Sequence, residues 1–239
     1  MPAEQHPLHR SPGSCLLTTK THSLLASVSA PTEASRTRAD ENPETCSLEV
    51  ALRPLSGVAG PRERCLERAV AGVLRTVVLG HRWPRLGVVV TVQVIRDGLA
   101  GVRGARGAKA DVVLLAGVLQ AVWLALVDGG VPLRDSLATT VLAECGRVGV
   151  VVDPVPEALA EAESVSGFAV NQVGEVLWME SVGGWGGGEV MDRARRVCLR
   201  ALRRVGEDEM VEEEQEESGW LRRDLEAKAR EQVAWRETT

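Results

Sequence analysis

Arginine is the residue type whose placement in this chain most suggests chemistry. Arg62, Arg64 and Arg68 fall on neighbouring turns of a predicted helix, and Arg103, Arg106 and Lys109 punctuate a Gly-rich stretch, Gly98 to Ala110, that carries no acid. Guanidinium groups so placed can neutralise phosphates without reading bases. The same pattern is also that of a solvated helix face, with Glu63 and Glu67 forming local pairs worth tenths of a kcal/mol, and of a flexible Gly-rich insertion. A further stripe, Arg193, Arg196, Arg200, Arg203 and Arg204, reads as a solvated face near a helix C-terminus, where the dipole favours cations.

Other chemistry is sparse. His6, His9, His22 and His81 are scattered and join no Ser, His, Asp or metal-like set. The five cysteines lie far apart with no CxxC pair, which argues against a disulfide framework and a zinc site and predicts a reducing compartment. Gly183 to Gly188 invites a dinucleotide-loop reading, but the last Gly of GxGxxG would fall on Glu189. No cofactor or metal is therefore expected.

Composition narrows the classes further. The 239 residues are 44% hydrophobic, enough for a sizeable core, yet six Trp, one Phe and no Tyr make a base-stacking sheet an unsuitable reading. Glu207 to Glu217 holds eight acids and no base, and taking those eight charges out of the formal −5 leaves a basic remainder of +3. That run reads as a solvated linker, with mimicry of RNA phosphate as the sharper alternative. The apolar stretch Val112 to Val127 is interrupted by Gln120 and shorter than the roughly 20 residues a bilayer requires, so it predicts a buried helix and no membrane partner. The first 20 residues contain no signal-peptide core, which points to cytosol or nucleus.

These residues must be positioned by regular elements. Residues 1–22 and 31–45 are rich in Pro, Ser, Thr and charge and are expected to be disordered and an exposed loop. Leu24 to Ser29 and Ser47 to Arg53 alternate as strands. A helix starts at Pro61, where a missing N–H is harmless, and runs to about Leu79. On it Leu66, Val70, Val73, Leu74 and Val77 keep the 3.6-residue period, opposite Arg64, Arg68 and Arg75, which project within about 40° of one another. The β-branched run Val88 to Ile95 is a strand, followed by the Gly-rich loop and the helix Asp111 to Asp128. Two hairpins follow, Leu137 to Asp153 turning at Cys145-Gly146-Arg147, and Val165 to Asn171 with Glu175 to Val182. A short helix, Pro156 to Glu163, lies between them, and a last core helix spans about Glu189 to Val205. Trp220 to Trp235 has helical propensity of its own. The sum is an α+β sandwich of mostly antiparallel sheets. Its parts are a disordered segment 1–22, a domain 23–206, an acidic linker 207–218 and a C-terminal helix within 219–239.

Three separated runs, LLASVSAPTEA (Leu24 to Ala34), LEVALRPLSGVAGPRERCLERAV (Leu48 to Val70) and LALVDGGVPLRDSLATT (Leu124 to Thr140), resemble the RNase PH family of phosphorolytic exoribonucleases, most closely its eukaryotic exosome core subunits. The likeness covers about residues 23–205 and implies a ribosomal-protein-S5-domain-2-like fold in two pseudo-repeated ββαβα halves. It also implies a ring of six RNase PH-like subunits, S1/KH-type cap subunits, an associated exonuclease and RNA as partners. The nucleus with its nucleolus, and the cytoplasm, follow as locations.

The departures from the family bear on activity. Active members carry Gly-Thr-Arg-Thr before the apolar helix, where backbone N–H groups and Arg bind the attacking phosphate. Here the segment is Ala108-Lys109-Ala110-Asp111-Val112. Of the family's Asp-x-Asp and following acid, Asp153-Pro154-Val155-Pro156-Glu157 keeps the first. Such carboxylates serve proton transfer or a divalent ion, so the expectation is a non-catalytic member. An active phosphate-dependent exoribonuclease and a self-associating scaffold are the alternatives. The resemblance places Arg62 near RNA or phosphate. The family's opening hairpin, with its Arg-Ala-Asp-Gly-Ser type segment, has no match in Met1 to His22, so the first sheet is expected to lack an edge strand.

Overall fold

Residues 108–128 carry apolar side chains on every side, so a helix built from them has no face to give to water and must be enclosed. The computed structural model describes residues 3–33, 43–146, 149–184, 187–202 and 220–233. In chain order the elements are β1 (Ala3–Gln5), β2 (Gly13–Thr18), β3 (His22–Glu33), β4 (Ser47–Arg53), α1 (Pro61–Val77), β5 (Leu86–Asp97), α2 (Ala108–Asp128), β6 (Leu137–Cys145), β7 (Gly149–Val152), α3 (Pro156–Glu161), β8 (Ser164–Asn171), β9 (Val176–Val182), α4 (Gly187–Leu202) and α5 (Trp220–Val233). The first sheet is ordered β1-β2-β3-β5-β4 and the second β7-β6-β8-β9. The β4–β5 pair is parallel and is joined through α1, as a parallel connection requires; the other pairs are antiparallel.

The α2 helix lies between the sheets, touching β2 and β3 on one side and β6, β8 and β9 on the other. Sixteen of its 21 residues are buried. It is therefore longer than the apolar run predicts, and by length and composition it would suit a membrane, but two sheets take the bilayer's place. Its one buried amide, Gln120, ties it to β6: Oε1 accepts the Thr139 backbone N–H at 3.0 Å, while Thr139 Oγ1 donates to the Ala116 carbonyl at 3.0 Å. On the far face of the second sheet, Leu142, Phe168 and Val170 pack against Val190, Ala194 and Cys198 of α4. The two halves are not strict copies, since a parallel pair occurs in the first sheet and none in the second.

Two expectations require correction. Residues 3–5 and 13–18 are strands, not a disordered segment, and they complete the first sheet at the edge expected to be missing. Turn residues dominate this stretch, yet Cys15 and Leu17 are fully buried, and side chains replace missing apolar bulk. Asp128, at the end of α2, accepts the Ser14 N–H and the His6 Nδ1 through Oδ2, both at 2.9 Å. Ser11 Oγ donates to the Gly13 and Val28 carbonyls. The Gly-rich loop is likewise built in: Leu99 and Ala105 are buried, and the Gly98 N–H bonds the Thr21 carbonyl at 2.7 Å. At the other end, α5 packs on α4 and seats Leu221 in the main core. The acidic run lies outside the described residues.

Gly13 marks the closest backbone approach. A Cβ there would lie 2.3 Å from the Ala125 carbonyl oxygen and 2.5 Å from the Gly129 nitrogen, both fixed backbone atoms. Gly13→Ala should lower stability by about 1–3 kcal/mol, the range for overpacking. Gly72→Ala, at an exposed helical position with nothing within 4 Å of the new methyl, should raise it by about 0.5–1 kcal/mol. Opposite shifts of the denaturation midpoint on matched preparations would confirm both assignments.

Candidate functional site

One end of the molecule gathers the start of β3, the end of β5 and the first turns of α1 and α2. Antiparallel register sets His22 opposite Asp97, and the His22 Nε2 lies 3.5 Å from the Asp97 Oδ1. Asp97 also accepts the Leu99 N–H at 2.9 Å, fixing the entry to the Gly-rich loop. The His22 Nδ1 is 2.9 Å from the Thr21 hydroxyl. Burial holds the imidazole below its ordinary pKa; the Asp97 carboxylate opposes this and the Arg62 charge reinforces it.

Arg62 sits on the second residue of α1 and reaches across to the first turn of α2. Its Nε donates to the Asp111 Oδ1 at 2.6 Å, and a terminal guanidinium nitrogen pairs with the same oxygen. Glu63 is a weaker neighbour at 3.8 Å, because it is turned back to accept the Gly60 N–H at 2.7 Å. That backbone bond holds the Glu63 carboxyl below its usual range. Gly60 has no side chain with which to complete a capping box, so Glu63 alone anchors the helix start.

The six cations singled out in the sequence separate into two groups. Arg62 is held by Asp111, and Lys109 donates from Nζ to the Ala162 carbonyl at 2.6 Å, at the end of α3. Both charges are engaged within the chain. Arg64 and Arg68 are exposed and line an open hollow with Val50, Glu67 and Ala71, beside the edge strand β4. Glu67 does not pair with them there; its Oε1 accepts the outward Leu52 N–H of β4 at 2.8 Å. Arg103 and Arg106 flank buried Ala105 and point to solvent. The Gly-rich loop is thus a fixed mount for these two, not a flexible insertion.

The acids tell a similar story. Asp153 has φ +46° and folds onto its own hairpin, its N–H bonding the Val141 carbonyl at 2.8 Å and its Oδ1 accepting the Val141 N–H at 3.3 Å. Glu157 is exposed on α3. Two groups escaped sequence reasoning: His22, whose partner lies on a strand 75 positions away, and Asp128, which latches the first hairpin. Neither pairing leaves a local spacing signal, because register and helix docking create it.

Residues 3–132 match the family described as the 3' exoribonuclease family, domain 1, and the chain belongs to it. Over 151 residues the chain is 30% identical to exosome complex component RRP46 of Saccharomyces cerevisiae, covering 63% of this chain and 64% of that protein. Over 130 residues it is 30% identical to the exosome complex exonuclease RRP46 homolog of Oryza sativa subsp. japonica, covering 54% of this chain and 48% of that protein. In both cases the matched region is less than two thirds of the relative's length. The crystal structure of rice Rrp46 superposes with a TM-score of 0.66 at 23% identity over 82% of this chain and 86% of that one. A chain of the archaeal exosome core superposes with a TM-score of 0.61 at 17% identity, over 83% of this chain and 81% of its own. The shared fold is that of these cores.

The depressed His22 pKa has a defined sign. The folded state favours the neutral ring, so the contribution is fully present above the unfolded value near 6.5 and is lost as pH falls from there through the lower folded value. Urea midpoints should therefore drop between pH 7.5 and pH 5.5, and His22→Gln should flatten that part of the profile.

Proposed function

We propose that the chain is a non-catalytic, RNA-path-lining subunit of an exosome ring, supporting 3'–5' RNA processing and turnover, including rRNA maturation, by an associated nuclease. The carrying observation is the first turn of α2, whose two charged residues are both engaged within the chain, Asp111 by Arg62 and Lys109 by the Ala162 carbonyl. The resemblance puts the phosphate clamp of active members in this turn. A carboxylate in that place repels the attacking anion. Support for the ring comes from the names of the relatives and from the two open sheets, whose outer strands are β1 and β4 in one and β7 and β9 in the other. Such edges favour a partner that covers them.

The ring neighbours would be other RNase PH-like subunits, with S1/KH-type caps and an exonuclease bound to the assembly in the nucleus, nucleolus and cytoplasm. Of the cations on the page, Arg64, Arg68, Arg103 and Arg106 suit RNA phosphates, because they are exposed; Arg62 and Lys109 reach RNA only by giving up their present partners. The word exonuclease in the rice relative's name favours the alternative, a phosphate-dependent exoribonuclease.

Purified chain free of other nucleases should release no nucleoside diphosphate from RNA with phosphate and Mg²⁺ above a buffer control. Release that is abolished by Asp153→Ala would establish the enzyme instead. Charge reversal of Arg64, Arg68, Arg103 and Arg106 together in the assembled ring should weaken RNA retention and reduce its dependence on salt, while the ring persists. Expressed alone, the chain should aggregate or form ill-defined oligomers, and co-expression with an RNase PH-like neighbour should give a 1:1 pair by size exclusion with light scattering.

A further inference from the structure

We propose that the groove between the edge strand β4 and helix α1 docks an extended protein segment, which adds a strand to β4 and presents acidic side chains to Arg64 and Arg68. The proposal rests on the reading that open sheet edges are covered, and it names the chemistry of the cover at this edge. Among the described residues β4 is the last strand of its sheet, and it pairs with β5 in parallel without a break in register. In such a pair alternate residues turn both N–H and C=O to the neighbouring strand, and the residues between turn both away. Leu52 is one that turns away, because its N–H goes to Glu67 Oε1 at 2.8 Å, so Leu48 and Val50 turn away as well. Val50 lines the hollow together with Arg64, Glu67, Arg68 and Ala71.

Three features select a peptide over a nucleic acid. The edge already takes an oxygen from elsewhere in the chain: Glu67 stands at Leu52 where the carbonyl of a further strand would stand, and the edge continues past it to Val50 and Leu48. Backbone groups repeating every two residues, about 6.6 Å, are matched by another extended backbone. The floor of the groove, Val50 and Ala71, is apolar and suits the methylenes of a glutamate. Its rim carries Arg64 and Arg68, one helical turn apart and exposed, with neither guanidinium in an ion pair among the described residues. Glu67 inside the groove repels the continuous charge of an RNA backbone, whereas a peptide backbone is neutral there. Val50 turns its side chain to the core side of the sheet, where α1 lies, so residues of an added strand level with it turn over the hollow. The occupant is therefore an extended segment with glutamates two residues apart. Once seated, it competes with RNA for Arg64 and Arg68 and leaves Arg103 and Arg106 to RNA.

The probe is a fluorescent, end-blocked peptide of alternating Thr and Glu, read by anisotropy against the full-length chain, with the same ring neighbour in every sample if solubility requires one. Binding should weaken roughly tenfold or more when Gln replaces Glu in the peptide, and again in the Arg64→Gln, Arg68→Gln double variant, the scale of one charge-assisted hydrogen bond. N-methylation of every second peptide amide, made in both phases, should abolish binding in the phase that faces β4 and spare it in the other. Val50→Pro removes an outward N–H that takes no part in the β4–β5 ladder, as an edge strand permits, and should also abolish binding. The methylated peptides decide the matter if that variant does not fold. No binding to the chain, equal effects of the two methylation phases, or indifference to loss of the two arginines would overturn the proposal. So would an oligouridylate that binds through Arg64 and Arg68 and is not displaced by the peptide, which would give the groove to RNA. None of these readouts uses RNA cleavage or ring assembly, so failure here is distinguishable from failure of the non-catalytic ring reading.

Discussion

Enclosure of α2 is the constraint on which the rest of the structure depends. A helix apolar all round has to be covered on two opposite sides, and each sheet supplies one of them. The first sheet thereby gains a buried face, while the alternate residues on its other side, such as Leu25, Ser27, Thr91 and Gln93, stay half-buried. The second is covered on both faces, by α2 and α4, which is why every residue of β8 is buried. Gln120 breaks the apolar surface at one point and converts it into register, since its bond to Thr139 would be lost if β6 slid by one residue.

The ends of α2 show how helix-terminal electrostatics are used with opposite outcomes. At its head, Asp111 is on the side the dipole favours and remains partly solvated. At its foot, Asp128 is buried against the dipole and keeps its place through the Ser14 N–H and His6, a hydrogen-bonded carboxylate that costs less than a bare one. Nearby Cys15 is pushed up to about 12 by burial and then by Asp128 and Asp224, and Cys198 to about 12 by burial and then by Asp153. Both thiols stay protonated and act as small apolar groups.

Where the sequence carried a period, the structure agrees with it. The alternation in Ser47 to Arg53 and the 3.6-residue spacing on Leu66, Val70, Val73 and Val77 gave strand and helix within a few residues of their bounds. The first hairpin was not legible because β2 has only two buried apolar residues, Cys15 and Leu17, in a stretch otherwise rich in turn formers, and contacts that hold it come from Asp128, far along the chain. Glycines made the 98–110 loop look mobile, although Leu99 and Ala105 pin it. At the site, residue types were legible and partner choice was not. Nothing in Arg62-Glu63-Arg64 says that the first arginine turns to another helix while the glutamate turns to a backbone N–H.

The Asp128 latch also has a consequence in time. Ser14 and Asp128 are separated by 114 positions, so during synthesis the first hairpin leaves the ribosome long before its anchor has been made. At about 5–20 residues per second that interval is on the order of 6–20 s. Throughout it, β2 and β3 present the apolar faces of Cys15, Leu17, Leu24, Ala26 and Val28 with no α2 to receive them. A nascent chain of this design makes these apolar strands well before the helix that covers them, and the waiting period sets how much chaperone protection they require.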